Sequence, residues 1–173
     1  MKRLHLSGGR QGGFTLVELI VALAIGSLLM VALTSVVLTS WRATTIASSR
    51  VDASGQIRNF EFFAYDDFAR SSLPSAGSCV AATPCTGPLT LSGTQVSNTN
   101  PVPSTVQVTY TWDGSNFLDR SVSTTGTATH AATNVSAFSW YVDPNATVVV
   151  SLTVTVQAYS ESQTFRFLPR MNP

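Results

Sequence analysis

The feature that most constrains this chain is an apolar run of 25 residues, Phe14–Leu38, that contains a single charged residue, Glu18. At about 1.5 Å of rise per residue, a helix of this length reaches roughly 37 Å, enough to cross the hydrocarbon core of a membrane. Three basic residues lie in the preceding segment, residues 1–13. The positive-inside rule therefore predicts that residues 1–13 stay in the cytoplasm and that the C-terminal bulk lies outside it.

Glu18 is unexpected in this run, because a carboxylate inside a bilayer is costly unless it is paired. A glutamate near a helix end can also extend to the membrane surface, and it then needs no further role. Three interpretations fit the run: a cleaved secretory signal peptide, a plain signal anchor, or a segment in which Glu18 has a function. The run is long for a signal peptide, and its best small-residue cleavage pattern, Ala22–Ala24, lies inside it.

The stretch GGFTLVELIVALAIGSLL, which begins at Gly12, resembles the prepilin signal of type IV pilins and of type II secretion pseudopilins. The resemblance implies that a prepilin peptidase cuts between Gly13 and Phe14 and that the new amine of Phe14 is N-methylated. It also implies an inner-membrane subunit with its C-terminal domain outside the cytoplasm, which later joins a filament or pseudopilus. Its partners would be other pilins or pseudopilins and the peptidase, which is also the methyltransferase.

The same resemblance assigns Glu18 to assembly rather than to catalysis. In filaments of the family the helices pack in a core without lipid or water, where Glu18 would face the amine of Phe14 on its own chain or on a neighbour. An ion pair gains more at low dielectric than in water, and each charge is costly there without its partner. We therefore expect Glu18 to check the register of a subunit as it docks.

Two further features bear on the type of subunit. Many major pilins carry a proline well along the apolar helix, whereas the corresponding segment here, Met30–Leu38, has none and should stay helical. The C-terminal part, from Val108 to its end at Arg170–Asn172, resembles the J-type minor pseudopilin of type II secretion and its relative, the minor pilin PilW. That resemblance implies a low-abundance subunit at the filament tip that primes assembly with other minor subunits.

Beyond the membrane segment, residues 14–38, the sequence predicts an α+β architecture in which a long helix lies against an antiparallel sheet. Apolar residues recur every three or four positions in residues 39–72, which predicts an amphipathic helix that Leu73–Gly77 ends. Residues 73–173 are predicted to form a β-rich globular domain. The aromatic residues of the helix are predicted to be the face on which the sheet packs: Phe60, Phe62, Phe63, Tyr65 and Phe68.

Alternation of apolar and polar residues predicts the strands of this domain. Val106–Trp112 and Phe117–Val122 form a predicted hairpin around Asp113–Asn116, because an Asp-Gly pair is typical of such turns. Other strands are predicted near Leu89–Leu91 and at Val135–Val142, Thr147–Ala158 and Thr164–Arg170, where Pro169 ends the last one. A polar loop is predicted at Thr124–Asn134 and a turn at Glu161–Gln163.

Cys79 and Cys85 are the two cysteines of the chain. They lack further Cys or His residues nearby and do not have C-x-x-C spacing, so neither a zinc site nor a redox motif is predicted. Only 11% of residues are charged, against about 25% in a typical domain, which favours an exported protein. In such a protein we predict a structural disulfide that closes a short loop and contributes roughly 2 kcal/mol.

No catalytic constellation can be placed, so we expect no enzyme, cofactor or metal site, and a membrane-anchored hydrolase has little support. Asp113–Asp119 has acidic or amide side chains at its first, fourth and seventh positions but departs from the calcium-loop pattern and lacks its closing glutamate. His130 is expected to be a solvated side chain in a loop.

Nucleic-acid binding is not favoured but is kept as an alternative, because competence and adhesive pilins share this type of signal. Three of the ten basic residues precede Phe14, so the remaining seven face nine acidic residues and no basic patch is left. Such binding would depend on Arg120, Arg166 or Arg170. The sequence is compatible with pilus, type II secretion and DNA-uptake machines alike.

Overall fold

The structure is a computed structural model that describes residues 13–74, 77, 79–95 and 104–169. Two compact units make up the chain, Met1–Thr44 and Thr45–Pro173. The predicted leader lies outside the described residues except for Gly13, and so does the predicted chain end at Arg170–Asn172.

Helix α1 runs from Leu16 to Ala69. It is long and apolar enough to cross a membrane, with a mean hydropathy of 2.6 in its most apolar part, none of which is buried. Met30–Leu38 is helical, as the absence of proline predicted. The helix ends before residue 72 because the chain is then bound by the first sheet, where Ser71 bridges Gly93 and the Ser72 amide donates to the Ser92 carbonyl at 2.8 Å.

The second unit contains two antiparallel sheets rather than the single sheet that the sequence suggested. The first has the order β1-β2-β3-β4, with strands Leu89–Gln95, Ser104–Trp112, Leu118–Val122 and Ala128–Ala132. The second has the order β5-β6-β7, with strands Val135–Val142, Val148–Val156 and Tyr159–Phe167. The predicted α+β class and the hairpin around Asp113–Asn116 are confirmed.

Two predicted connections are wrong. The expected polar loop at Thr124–Asn134 contains strand β4, which pairs with β3 and buries Ala131 and Ala132 completely. The expected turn at Glu161–Gln163 lies inside β7, and the chain turns earlier, at Gln157, whose φ is 55°. In both places the residues are mostly small or polar and show little alternation of apolar with polar side chains. The composition therefore suggested a loop, whereas pairing with a neighbouring strand makes each segment a strand.

The core forms where one face of α1 meets both sheets. The buried apolar residues of the helix are Ala53, Ile57, Phe60, Ala64 and Phe68. The Phe60 ring lies 5.6 Å from the Tyr110 ring of β2 and 5.3 Å from the Phe165 ring of β7. Because one side chain contacts strands of both sheets, the helix holds the two sheets together. Burial of each such aromatic side chain contributes about 1.5–3 kcal/mol.

A polar cluster fixes the end of the helix against the first sheet. The carboxylate of Asp67, whose side chain is 6% exposed, accepts bonds of 2.7 and 2.6 Å from Nε and Nη2 of Arg120. It also accepts a 2.5 Å bond from the Tyr110 hydroxyl. Burial, and then the negative charge of Asp67, raises the pKa of Tyr110 far above its ordinary value, so this hydroxyl stays a donor.

We predict that Asp67→Ala lowers the free energy of unfolding by about 2–3 kcal/mol, because the change leaves the buried Tyr110 hydroxyl and the partly buried Arg120 without their acceptor. Asp66→Ala is the matched control, since the Asp66–Arg70 pair is 61% and 62% exposed and should contribute at most about 0.5 kcal/mol. Urea denaturation of the full chain in detergent, followed by near-ultraviolet circular dichroism, measures both. Equal losses in the two variants would contradict this account of the cluster.

Cys79 and Cys85 form a disulfide whose Cα atoms lie 5.3 Å apart. The loop that it closes runs along the outer edge of β5, where Cys85 and Trp140 exchange two backbone hydrogen bonds of 2.9 Å. The Val142 amide donates to the Cys79 carbonyl at 3.0 Å. The disulfide therefore holds a short segment that covers this edge of the second sheet.

We predict that replacing both cysteines by serine lowers stability by roughly 2 kcal/mol, because the loop is short. The Trp140 amide should exchange with water faster, since its acceptor lies in the released loop. Hydrogen exchange of the full chain measures this, with the Leu152 amide of β6 as the internal reference. Unchanged protection of Trp140 would mean that the loop holds its place without the disulfide.

Candidate processing and assembly site

Gly13 and Phe14 lie exposed before the first turn of α1. The Phe14 side chain is 81% exposed, and a Cβ atom added to Gly13 would meet no atom within 4 Å. Packing within the chain therefore does not require glycine at position 13. The small size of this residue is a property that an external partner can use.

Thr15 caps the helix, and Glu18 lies in its first turn. The Glu18 amide donates to the Thr15 hydroxyl at 3.3 Å, and the Leu19 amide donates to the Thr15 carbonyl at 3.2 Å. A Thr with Glu three residues later is the spacing of a capping box, and a carboxylate near a helix N-terminus is favoured by the helix dipole. The backbone amide of Glu18 thus takes part in the cap, while its side chain remains exposed.

The apolar part of α1 satisfies its own polar groups. The hydroxyls of Ser27, Thr34 and Ser35 donate to backbone carbonyls three or four residues earlier, each at 2.8 Å. Large apolar side chains from Leu16 to Leu38 are about half to three-quarters exposed. This segment therefore presents an apolar surface without unpaired hydroxyl donors, which suits a lipid or a protein interior.

The predicted aromatic face is only partly correct. Phe60 and Phe68 are buried, but Phe62 is 76% exposed and Tyr65 is 74% exposed. Helical spacing places residues 62 and 65 away from the face that carries residues 60, 64 and 68. The exposed rings border a groove of about 630 Å³ that Glu61 and Arg120 also line.

Two side chains that the sequence linked to ligands have other partners. The Asp113 Oδ1 atom accepts bonds from the amides of Asn116, Ser115 and Phe117. These bonds, the one from Asn116 most of all, lower the pKa of Asp113 to about 2. Asp113 thus builds the β2–β3 turn. Arg120, one of the arginines on which DNA binding would depend, forms an ion pair with Asp67.

His130 belongs to strand β4 rather than to a loop. Its Nδ1 atom lies 2.5 Å from Oδ1 of Asp119, and its ring stacks on Phe117 at 4.6 Å. Within the described ranges, no three His, Cys, Asp or Glu side chains are grouped so that they could hold a metal ion. Asp119, the last residue of the calcium-like stretch, is therefore engaged across the β3–β4 pair.

Residues 8–34 match the prokaryotic N-terminal methylation motif. The match includes Gly13, Phe14 and Glu18, and it supports a protein like the type IV pilins and pseudopilins. Such a motif implies processing by prepilin peptidase and assembly with other pilins. Together with the apolar helix it fits a membrane-anchored structural subunit rather than an enzyme. No curated protein matches the chain, and no solved structure matches it.

Proposed function

We propose that this chain is a minor pilin or pseudopilin that initiates or caps a type IV filament, and that its assembly depends on docking of the N-terminal helix. The observation that carries the proposal is the methylation motif at residues 8–34, which leads directly into a helix with a fully exposed apolar surface. A processed N-terminus followed by such a helix fits insertion first into a membrane and then into a bundle of similar helices.

Cleavage after Gly13 creates the charge that Glu18 needs. The new amine of Phe14 is cationic even after one methylation, and the carboxylate lies in the first helical turn that follows it. In a bundle that excludes water, docking is favoured only where an amine and a carboxylate meet. We propose that this pairing sets the axial position of each subunit.

The proposed role as a minor subunit draws on one feature of each half of α1. The helix continues without a proline through Met30–Leu38, which fits pseudopilins and minor subunits. Phe62 and Tyr65 form an exposed aromatic surface of the second unit, and exposed apolar patches of this kind are typical of protein contacts. We propose that this surface contacts a neighbouring subunit laterally. The alternative is that the chain is a J-type pseudopilin of a type II secretion system.

The intact mass and N-terminal sequence of the protein from membranes test the class. We expect a chain that begins at Phe14 and carries one added methyl group on its amine. A chain that begins at Met1 would mean a plain signal anchor. A start beyond residue 38 would mean a secreted domain, and the assembly role of Glu18 would be lost.

We predict that Glu18→Ala is processed normally but does not enter filaments, because a docked Phe14 amine would lack its partner. Thr15→Ala is the matched control: it removes the helix cap at a cost of about 1 kcal/mol but keeps the carboxylate. Filaments sheared from cells and probed for the subunit measure incorporation. If Thr15→Ala is excluded from filaments as strongly as Glu18→Ala, helix capping rather than ion pairing explains the role of Glu18.

A further inference from the structure

The two sheets have four outer edges, and three of them are covered. Ser72 covers β1 through its bond to Ser92, and the disulfide loop covers β5 through Cys85. Side chains of α1 cover β4: the Asn59 amide donates to the Ala131 carbonyl at 2.9 Å, and the Thr133 amide donates to Gln56 at 2.9 Å.

The outer edge of β7 differs from these. Within the described part of the chain, no backbone group of β7 bonds to a segment other than β6. The strand is nine residues long, its register with β6 is unbroken, and it contains no proline, lysine or bulge of the kind that protects exposed edges. Such an edge offers free amide and carbonyl groups to an added strand.

Glu161 lies in this strand and faces inward, since it is opposite the buried Val154 of β6. Its Oε2 atom is buried and has no hydrogen-bond partner. Arg50 of α1 is a neighbouring cation, but it donates to the Tyr159 hydroxyl at 3.4 Å. A buried carboxylate oxygen without a donor is unfavourable, so this edge contains a negative charge that is not fully satisfied.

We propose that the outer edge of β7 binds a β-strand supplied by another protein, and that Glu161 selects a strand with a basic side chain opposite it. Cross-strand neighbours lie about 4.5–5.5 Å apart, where opposite charges attract and like charges repel. The inward charge also explains how an open edge avoids unselective pairing, because a strand without a suitable donor would bury the carboxylate.

A second copy of this chain fits the edge less well. Two β7 strands related by a two-fold axis would place inward residues opposite inward residues. That set carries no positive charge: Tyr159, Glu161, Gln163, Phe165 and Phe167. The partner is therefore a different protein with a basic, otherwise apolar and hydroxyl-rich strand, and this inference does not depend on the proposed filament function.

The test uses the full chain in detergent and two synthetic peptides. Each peptide has the length of β7, nine residues, and alternates threonine with valine. Counting from a valine at position one, one peptide has lysine at position seven, which lies opposite Glu161 when all nine residues pair antiparallel with β7, and the other has glutamate there. We expect the lysine peptide to bind about tenfold tighter and to slow hydrogen exchange in Tyr159–Phe167.

Glu161→Gln should remove the difference between the peptides, whereas Glu61→Gln, at an exposed glutamate of α1, should preserve it. Near-ultraviolet circular dichroism checks that both variants fold. Equal binding of the two peptides to the unchanged protein, or protection outside β7, would overturn the proposal. So would spontaneous disulfide dimers of Ser162→Cys that Ser151→Cys on β6 does not form, because they would identify a second copy as the occupant.

Discussion

The second unit depends on one packing contact, in which the Phe60 ring lies between a ring of β2 and a ring of β7. The backbones of the two sheets are not paired with each other along their described strands, and the Nε1 atom of Trp112 in β2 donates to the Val135 carbonyl of β5 at 3.3 Å. The shared helix adds to this link in holding the sheets together. The buried face of α1 does this over four turns, from Ala53 to Phe68. The stacking of Phe68 on Phe167 at 4.2 Å extends the same contact to the end of the helix.

Polar contacts fix the rotation of α1 about its axis, which apolar packing alone leaves less well defined. Apolar contacts alone tolerate small rotations of a helix, whereas a bidentate pair does not. The two bonds from Arg120 to Asp67, together with the Tyr110 hydroxyl, fix the rotation of α1 at its C-terminal end. Near the middle, Gln56 and Asn59 bond the backbone of the β4 region. The exposed side of the helix, with Phe62 and Tyr65, is thereby set in a defined direction.

The first unit differs from the second in that its apolar side chains are exposed, and nothing in the described chain covers them. Its hydroxyls bond to its own backbone, and a Cβ atom added to its glycine at position 26 would meet none of the described residues within 4 Å. A glycine inside a helix lowers its stability by about 1 kcal/mol relative to alanine.

The local sequence pattern was sufficient to predict some parts of this structure. The apolar run, the motif around Gly13 and Glu18, the long helix and the hairpin at Asp113 could all be predicted from the sequence, because each depends on residues that are close together in the chain. The spacing of Cys79 and Cys85 was also informative, since a short loop leaves few alternatives.

Tertiary structure decided the rest. Asp66 and Asp67 are adjacent and chemically identical, yet only Asp67 is buried, because the rotation of α1 on two sheets selects it. The same rotation exposes Phe62 and buries Phe60. Strand β4 and the early turn at Gln157 depend on pairing partners that are distant in sequence or on a register that alternation of small residues does not specify. The sequence alone thus determined the apolar helix, its methylation motif and most of the strands, while long-range packing determined which of the charged and aromatic side chains remain available to partners.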